Sequence, residues 1–435
     1  MSPRVVRPTL LAVALLLSAL ATAADSPTTT AQRLLDRLDT DQFDAAASEF
    51  GPEMKAAVPA ERLKQVWQSL PAQFGAAKGR GEAVVSDHSG TALIEIPLHY
   101  EHGELIGKVA IGSDGKIVGF LVQPAPPPPA PEPRADANYR ESEFSVGQGA
   151  KALPGTLALP KSGGPFPAIV LVHGSGPQDR DETIGPNRPF LDLARGLAAR
   201  GVAVLRYEKR TKARPEEFAD GKYLVDDETT DDAVAAVAAL AATPGIDRKR
   251  IYILGHSQGG LMAPRIAAHS GQVAGLVLLA APARPILTLL AEQNHYLANL
   301  DGAVSPDEKA YLDDLDQRIA AVRAGGDVAA ARTPMNLPAG YWRSVDGIDP
   351  VAEAGALKVP MLFLQGERDV QVVAADWQRW QSAFGQDARA SFKLYPALNH
   401  LGIAGTGPGS PKEYETPGHV DAGLVADIAG WIEKH

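Results

Sequence analysis

Apolar positions recur along this chain at two spacings, and the change from one to the other divides it. From residue 144 onward, short continuous apolar runs alternate with longer stretches of helical spacing. The runs at 168–172, 202–206, 251–254, 276–280, 361–365 and 392–395 predict strands buried on both faces of a parallel sheet. Runs at 144–146 and 156–159 predict an antiparallel pair ahead of them. Helical patterns at 188–200, 228–243, 258–269, 372–384 and 420–434 fill the intervals. The alternation predicts an open α/β sheet, in which ligands collect at the carboxyl ends of the strands. Residues 285–345 interrupt it. That stretch is too long for one crossover and holds a helical segment at 307–323, so it predicts an inserted helical cap.

Residues 24–123 follow another rhythm. Leu34, Leu35 and Leu38, then Leu63, Val66, Trp67 and Leu70, mark helical faces within 30–76. Four strand-like runs follow at 82–87, 91–99, 104–112 and 115–122, with Ser113-Asp114-Gly115 as a hairpin turn. Helices followed by a meander predict a small α+β domain. Its His99 and His102 lack a third ligand and predict surface or strand histidines rather than a metal site. Between the two patterns, seven of the ten residues 124–133 are proline, which favours a semi-rigid polyproline spacer. The predicted organisation is therefore a leader at 1–23, an α+β domain at 24–123, a linker at 124–138 and an α/β domain at 139–435.

The leader reading rests on Arg4 and Arg7 ahead of the apolar stretch 10–21, with Ala21-Thr22-Ala23 as small residues at a cleavage site. The stretch falls short of the roughly 20 residues that a spanning helix needs. It predicts export to the periplasm or beyond, and no membrane span after the leader is removed. Charge narrows the function further. With 42 Lys+Arg against 52 Asp+Glu the net charge is −10, which argues against a nucleic-acid partner. The chain has no cysteine, so thiolate nucleophiles, disulfides and Cys-based metal sites are excluded. The sequence names no protein partner for the smaller domain.

The candidate chemistry lies in Gly255-His256-Ser257-Gln258-Gly259, directly after the 251–254 strand and before a helix. A serine on a sharp strand-to-helix turn needs small residues two positions either side, and Gly255 and Gly259 supply them. Serine at its own pKa is a poor nucleophile, so a base and an acid to orient it must follow in the chain. Asp369 and His400 both stand just beyond strand ends and leave the sheet at the same edge as Ser257. Glu367 is the rival acid and His419 the rival base. A tetrahedral intermediate needs backbone N–H donors: one from Gln258, and one from His173-Gly174-Ser175-Gly176, with Ser175 first and Gly176 second. The charges of 178–182 and 206–210 predict a local salt-bridge network.

This order of motifs resembles the α/β-hydrolase superfamily. The strings HGSGPQDRDE (173–182), VLRYEKR (204–210) and NLPAGYWRSVDGIDP (336–350) are similar to bacterial serine carboxylesterases. Those enzymes carry a small NTF2-like or cystatin-like N-terminal domain, which residues 30–122 resemble. The resemblance implies ester hydrolysis through Ser257, Asp369 and His400, without cofactor or metal, on a small-molecule ester. A peptidase or thioesterase on the same triad is the alternative. In the cap, Leu289, Tyr296, Leu300, Tyr341 and Trp342 are candidates for the wall of an acyl pocket.

Overall fold

The structure is a computed structural model describing residues 26–88, 90–125 and 137–435. The leader reading and the proline run from residue 126 lie outside the described residues. The described chain divides into two compact units, one before and one after that run.

The first unit opens with α1 (Pro27–Asp39), α2 (Phe43–Ala47), α3 (Pro52–Ala57) and α4 (Ala60–Phe74). Strands β1 (Ala77–Arg80), β2 (Val84–His88), β3 (Thr91–Tyr100), β4 (Gly103–Ile111) and β5 (Ile117–Pro124) follow as an antiparallel sheet. Ile94, Ile96, Leu98 and Tyr100 alternate inward along β3 and meet Leu34, Leu35, Leu38, Trp67 and Leu70 in one core. Alternation of this kind leaves the other face of an antiparallel sheet to solvent. Two expectations change here. Val66 points outward at 47% exposure, beside rather than on the buried stripe of α4. The polar strand β1, absent from the apolar pattern, pairs with the end of β3 while β2 pairs with its start. His99 binds Glu104 across β3 and β4 at 2.5 Å on the exposed surface, and His102 stands in the exposed turn between those strands.

The second unit begins with β6 (Tyr139–Val146), β7 (Leu153–Pro160), β8 (Phe166–Val172), α5 (Pro189–Ala198), β9 (Ala203–Tyr207) and the short α6 (Arg210–Ala213). It continues through α7 (Asp231–Ala241), β10 (Ile246–His256), α8 (Gln258–Ser270) and β11 (Gly275–Leu279). Next come α9 (Ile286–Ala298), α10 (Pro306–Ala324), α11 (Ala339–Asp346), α12 (Pro350–Ala356), β12 (Met361–Gly366), α13 (Ala374–Phe384), β13 (Ala390–Tyr395) and α14 (Ala422–Lys434).

Among the described residues, one sheet runs in the order β13-β12-β11-β10-β8-β9-β7-β6, parallel from β13 to β9 and antiparallel over β7 and β6. The central strands β8, β9, β11, β12 and the second half of β10 are largely apolar because both faces are covered, whereas β6 and β13 at the two edges carry exposed polar residues. Ala168, Val170 and Val172 pack with Met262, Ile266 and Trp380 on one side. Ile169 and Leu171 pack with Phe190, Leu197, Ile428 and Ile432 of α5 and α14 on the other. The register sets the loops level: Gly255 pairs with Val172, His256 with Leu279, and Gly366 with Tyr395. The loops that follow β8, β10, β12 and β13 therefore leave from one edge. Residues between β11 and β12 form the helical insertion, α9 to α12.

Candidate active site

Ser257 stands between β10 and α8 with φ 52° and ψ −123°, in the left-handed half of backbone space that non-glycine residues rarely occupy. The turn closes because its glycine neighbours have no side chains. A Cβ on Gly255 would lie 2.2 Å from the Gly259 carbonyl oxygen, and one on Gly259 would lie 2.2 Å from that of Val172. Both obstacles are backbone and cannot move aside. Gly259→Ala is therefore expected to cost about 3 kcal/mol, the upper range for overpacking, and most of the activity. Gly430→Ala in α14, where a Cβ meets nothing within 4 Å, should leave the rate unchanged and raise Tm slightly, since alanine favours a helix interior over glycine by about 1 kcal/mol.

Asp369 and His400 meet at this edge. His400 Nδ1 lies 2.8 Å from Asp369 Oδ2, and both side chains are buried. Asp369 Oδ1 accepts the backbone N–H groups of Gln371 at 2.8 Å and Val372 at 3.0 Å, and Oδ2 also accepts from Gln365 Nε2 at 3.0 Å. The carboxylate is thus fixed from four sides. The two rival residues fall outside the site. Glu367 is exposed, and His419 is 88% exposed and bound to Asp192 at 3.1 Å ahead of α14. The His400 loop is tied to the serine turn by His256, whose Nε2 lies 2.9 Å from the His400 carbonyl oxygen. Ser257 and His400 form no hydrogen bond in this resting arrangement; such bonds commonly tighten only when substrate is bound.

Ser257, Gln258, Ser175 and Gly176 line one cavity of about 410 Å³. Gln258 is the first residue of α8, where N–H groups have no intrahelical acceptor. The rest of the lining is mostly apolar. On α9, Ile286, Leu289, Leu290 and Gln293 repeat at i, i+3, i+4 and i+7 and so share one face. Tyr341 and Trp342 join them, but Tyr296 and Leu300 do not. The α9 stripe runs past the cavity, so Tyr296 enters a separate cleft beside Tyr414 and bonds the Gly409 carbonyl, while Leu300 is 46% exposed. A further part of the wall, which the apolar pattern did not indicate, comes from Thr211, Pro215, Phe218, Tyr223 and Glu228 ahead of α7, with Tyr223 and Glu228 against Tyr341.

Four buried charged or polar residues surround the serine turn: His173 and His256 stand in the sequence as motif members, Glu182 as part of a charge-rich string, and Glu228 without any role. Glu182 accepts the Gly174 N–H at 2.6 Å and lies 2.9 Å from His256 Nδ1, a close ionic contact whose N–H does not point straight at the oxygen. Burial pushes the His256 imidazole down, but the Glu182 charge and the His400 carbonyl outweigh it and hold the group above its ordinary value. Burial likewise raises Glu182, and His256 outweighs it, so the net shift is downward. His173, buried beside them, is pushed down by desolvation to about 4 and stays neutral. Glu228 accepts from Tyr341 Oη at 2.9 Å and from Gln258 Nε2 at 3.3 Å, and pairs with Lys209 at 3.2 Å. Burial first, and Glu228 second, keep the Tyr341 hydroxyl protonated. The predicted network of 178–182 and 206–210 is present too, with Arg206 between Asp181 and Glu141, and Arg180 between Glu143 and Glu208. No cluster of three or more His, Cys, Asp or Glu suited to a metal occurs among the described residues.

A mostly parallel sheet that presents a strained serine beside a buried His–Asp pair defines an α/β-hydrolase. Residues 165–403 match the Hydrolase_4 family model, described as serine aminopeptidase, S33, and the chain belongs to this family of α/β-hydrolases. Residues 31–120 match a second model, described as a protein of unknown function, DUF3887. The chain is 33% identical over 406 residues to the esterase EstD of Thermotoga maritima, covering 92% of this chain and 94% of that one. It is 28% identical over 225 residues to a non-heme chloroperoxidase of Burkholderia pyrrocinia, covering 46% of this chain and 76% of that protein. Among solved structures, an esterase of Pyrobaculum calidifontis aligns with TM-score 0.43 and 16% identity over 68% of this chain and 85% of its own.

Proposed function

We propose that this chain is a serine carboxylesterase that works through an acyl-enzyme on Ser257. The observation that carries the reading is the buried His400–Asp369 pair at the same sheet edge as a serine held at φ 52°. His400 Nε2 takes the Ser257 proton as the oxygen attacks the ester carbonyl, and Asp369 holds Nδ1–H and stabilises the imidazolium. The Gln258 and Ser175 N–H groups receive the oxyanion, each contributing about 3 kcal/mol by analogy with other such donors. His400 then protonates the leaving alkoxide, and water repeats the sequence on the acyl group. The similarity to a full-length esterase supports an ester as substrate. The leader-like residues 1–23 support an exported, periplasmic or secreted location. The description of the matching family favours a second reading, a peptidase on the same residues.

The test is a series of p-nitrophenyl esters from acetate to decanoate, run beside an aminoacyl p-nitroanilide and an acyl thioester. Esters should be cleaved fastest; a faster anilide would move the assignment to peptidase. The lining predicts where acyl preference is set. Leu290→Trp, which narrows the cavity, should shift the optimum toward shorter chains, whereas Leu300→Trp, outside it, should not. An unchanged optimum for Leu290→Trp would place the acyl group elsewhere.

A further inference from the structure

Gly174 is held from both sides by buried charges of opposite sign. Its N–H donates to Glu182 Oε1 at 2.6 Å, and its carbonyl accepts from Lys209 Nζ at 2.9 Å. Lys209 and Glu182 are 2% and 1% exposed, so neither charge is screened by solvent. The carbonyl of Gly174 and the N–H of Ser175 belong to one peptide group. In a trans peptide these two dipoles point in opposite directions. With an ammonium fixing the carbonyl on one side, the Ser175 N–H is aimed away from Lys209. Ser175 lines the cavity that holds Ser257, and Gly174 packs against that serine so closely that a Cβ there would lie 3.2 Å from Ser257 Cβ.

We propose that Lys209 and Glu182 form a two-sided ionic clamp on Gly174 that orients and polarises the Gly174–Ser175 peptide as an oxyanion donor. Both are positioning residues, and the proposal rests on the esterase reading of Ser257. A charged donor on a peptide carbonyl draws electron density through the amide and strengthens the N–H as a donor, the cooperativity of linked hydrogen bonds. Stability does not account for the arrangement. Buried ion pairs such as Lys209–Glu228 generally give less stability than apolar residues of similar volume, so their presence here calls for another role. The clamp also extends beyond Gly174. Glu182 contacts His256, which bonds the His400 carbonyl, and Lys209 pairs with Glu228, which binds the Gln258 side chain. Glu182 itself stands at φ 51°, a strained conformation that the surroundings must impose.

The experiment compares wild type, Lys209→Met and the double variant Lys209→Met/Glu228→Gln, which removes both charges and so avoids an unpaired buried carboxylate. Three quantities are read on folded enzyme: ester kinetics, the Ki of an alkyl trifluoromethyl ketone, and phosphonylation of Ser257. The clamp predicts kcat lower by about 10–100-fold in both variants, as small misplacements of a catalytic group produce. KM should stay within about threefold, and the ketone Ki should rise in step with the loss of kcat/KM, because that adduct alone carries the oxyanion. A purely structural role would lower Tm without moving the ketone Ki of folded enzyme. If the double variant hydrolyses ester and binds the ketone within about twofold of wild type, Lys209 only balances Glu228 and the clamp is overturned. If Ser257→Ala keeps its turnover, the esterase reading fails and takes the clamp with it; a dead Ser257→Ala beside a fully active double variant overturns the clamp alone.

Discussion

Replacing Ser257 by alanine is expected to lower kcat on p-nitrophenyl butyrate by about 10⁴–10⁶-fold, with Tm nearly unchanged. The size of the effect follows from the covalent step, which alanine has no oxygen to perform. The small effect on folding follows from the turn. Its strain is set by backbone contacts at Gly255 and Gly259 and by the Ser257 N–H bond to the Leu279 carbonyl, all of which alanine keeps. No step of the mechanism passes through a metal ion, so EDTA should leave the wild-type rate where it was. Loss of activity in EDTA, restored by a divalent cation, would count against the account.

Asp369→Asn should lower kcat by about 10⁴-fold. Asp369 Oδ1 accepts two backbone N–H groups, which dictates how an asparagine would sit. Its carbonyl oxygen takes that place, and its NH₂ faces His400 Nδ1. The imidazole is then held with its proton on Nε2, the nitrogen that must accept the serine proton. Glu367→Gln alters an exposed side chain and should change kcat by less than about twofold. The bases separate in the same way. His400→Ala should abolish turnover, while His419→Ala should cost only its surface contact with Asp192. A reversed ranking in either pair would reassign the role.

How much of this was legible in the sequence depended on whether a residue's partners lie close along the chain. The strands β8, β9, β11, β12 and the second half of β10 were visible because burial on both faces makes them largely apolar, while β13, at the sheet edge, showed only a short run at 392–395. The serine turn was visible because its steric demand falls on Gly255 and Gly259, two positions either side. Asp369 and His400 were visible through their place after strand ends. The pairings around them were not. Glu182 and His256, or Lys209 and Glu228, are joined only by the fold, and in the sequence each is one charge or ring among many. The wall formed by 211–228 escaped for a related reason, since its short turns have no sustained period. Tyr296 continues the helical stripe that begins at Ile286, while Leu300 lies in the turn just past the end of α9, and periodicity cannot tell where along a helix a cavity, or the helix itself, ends. Strand β1 is polar and holds its place by backbone pairing with β3, which leaves no apolar signature.

The central claim is that Ser257 becomes acylated, and peptide mass spectrometry of the intact chain tests it most directly. The enzyme would be quenched in acid during turnover of a slowly deacylating ester, and in parallel treated with an alkyl fluorophosphonate. The account predicts a single acyl adduct, and a single phosphonyl adduct, on the peptide containing Gly255-His256-Ser257-Gln258-Gly259, both absent from Ser257→Ala. Adducts on another residue, or continued hydrolysis by enzyme fully phosphonylated at Ser257, would contradict it.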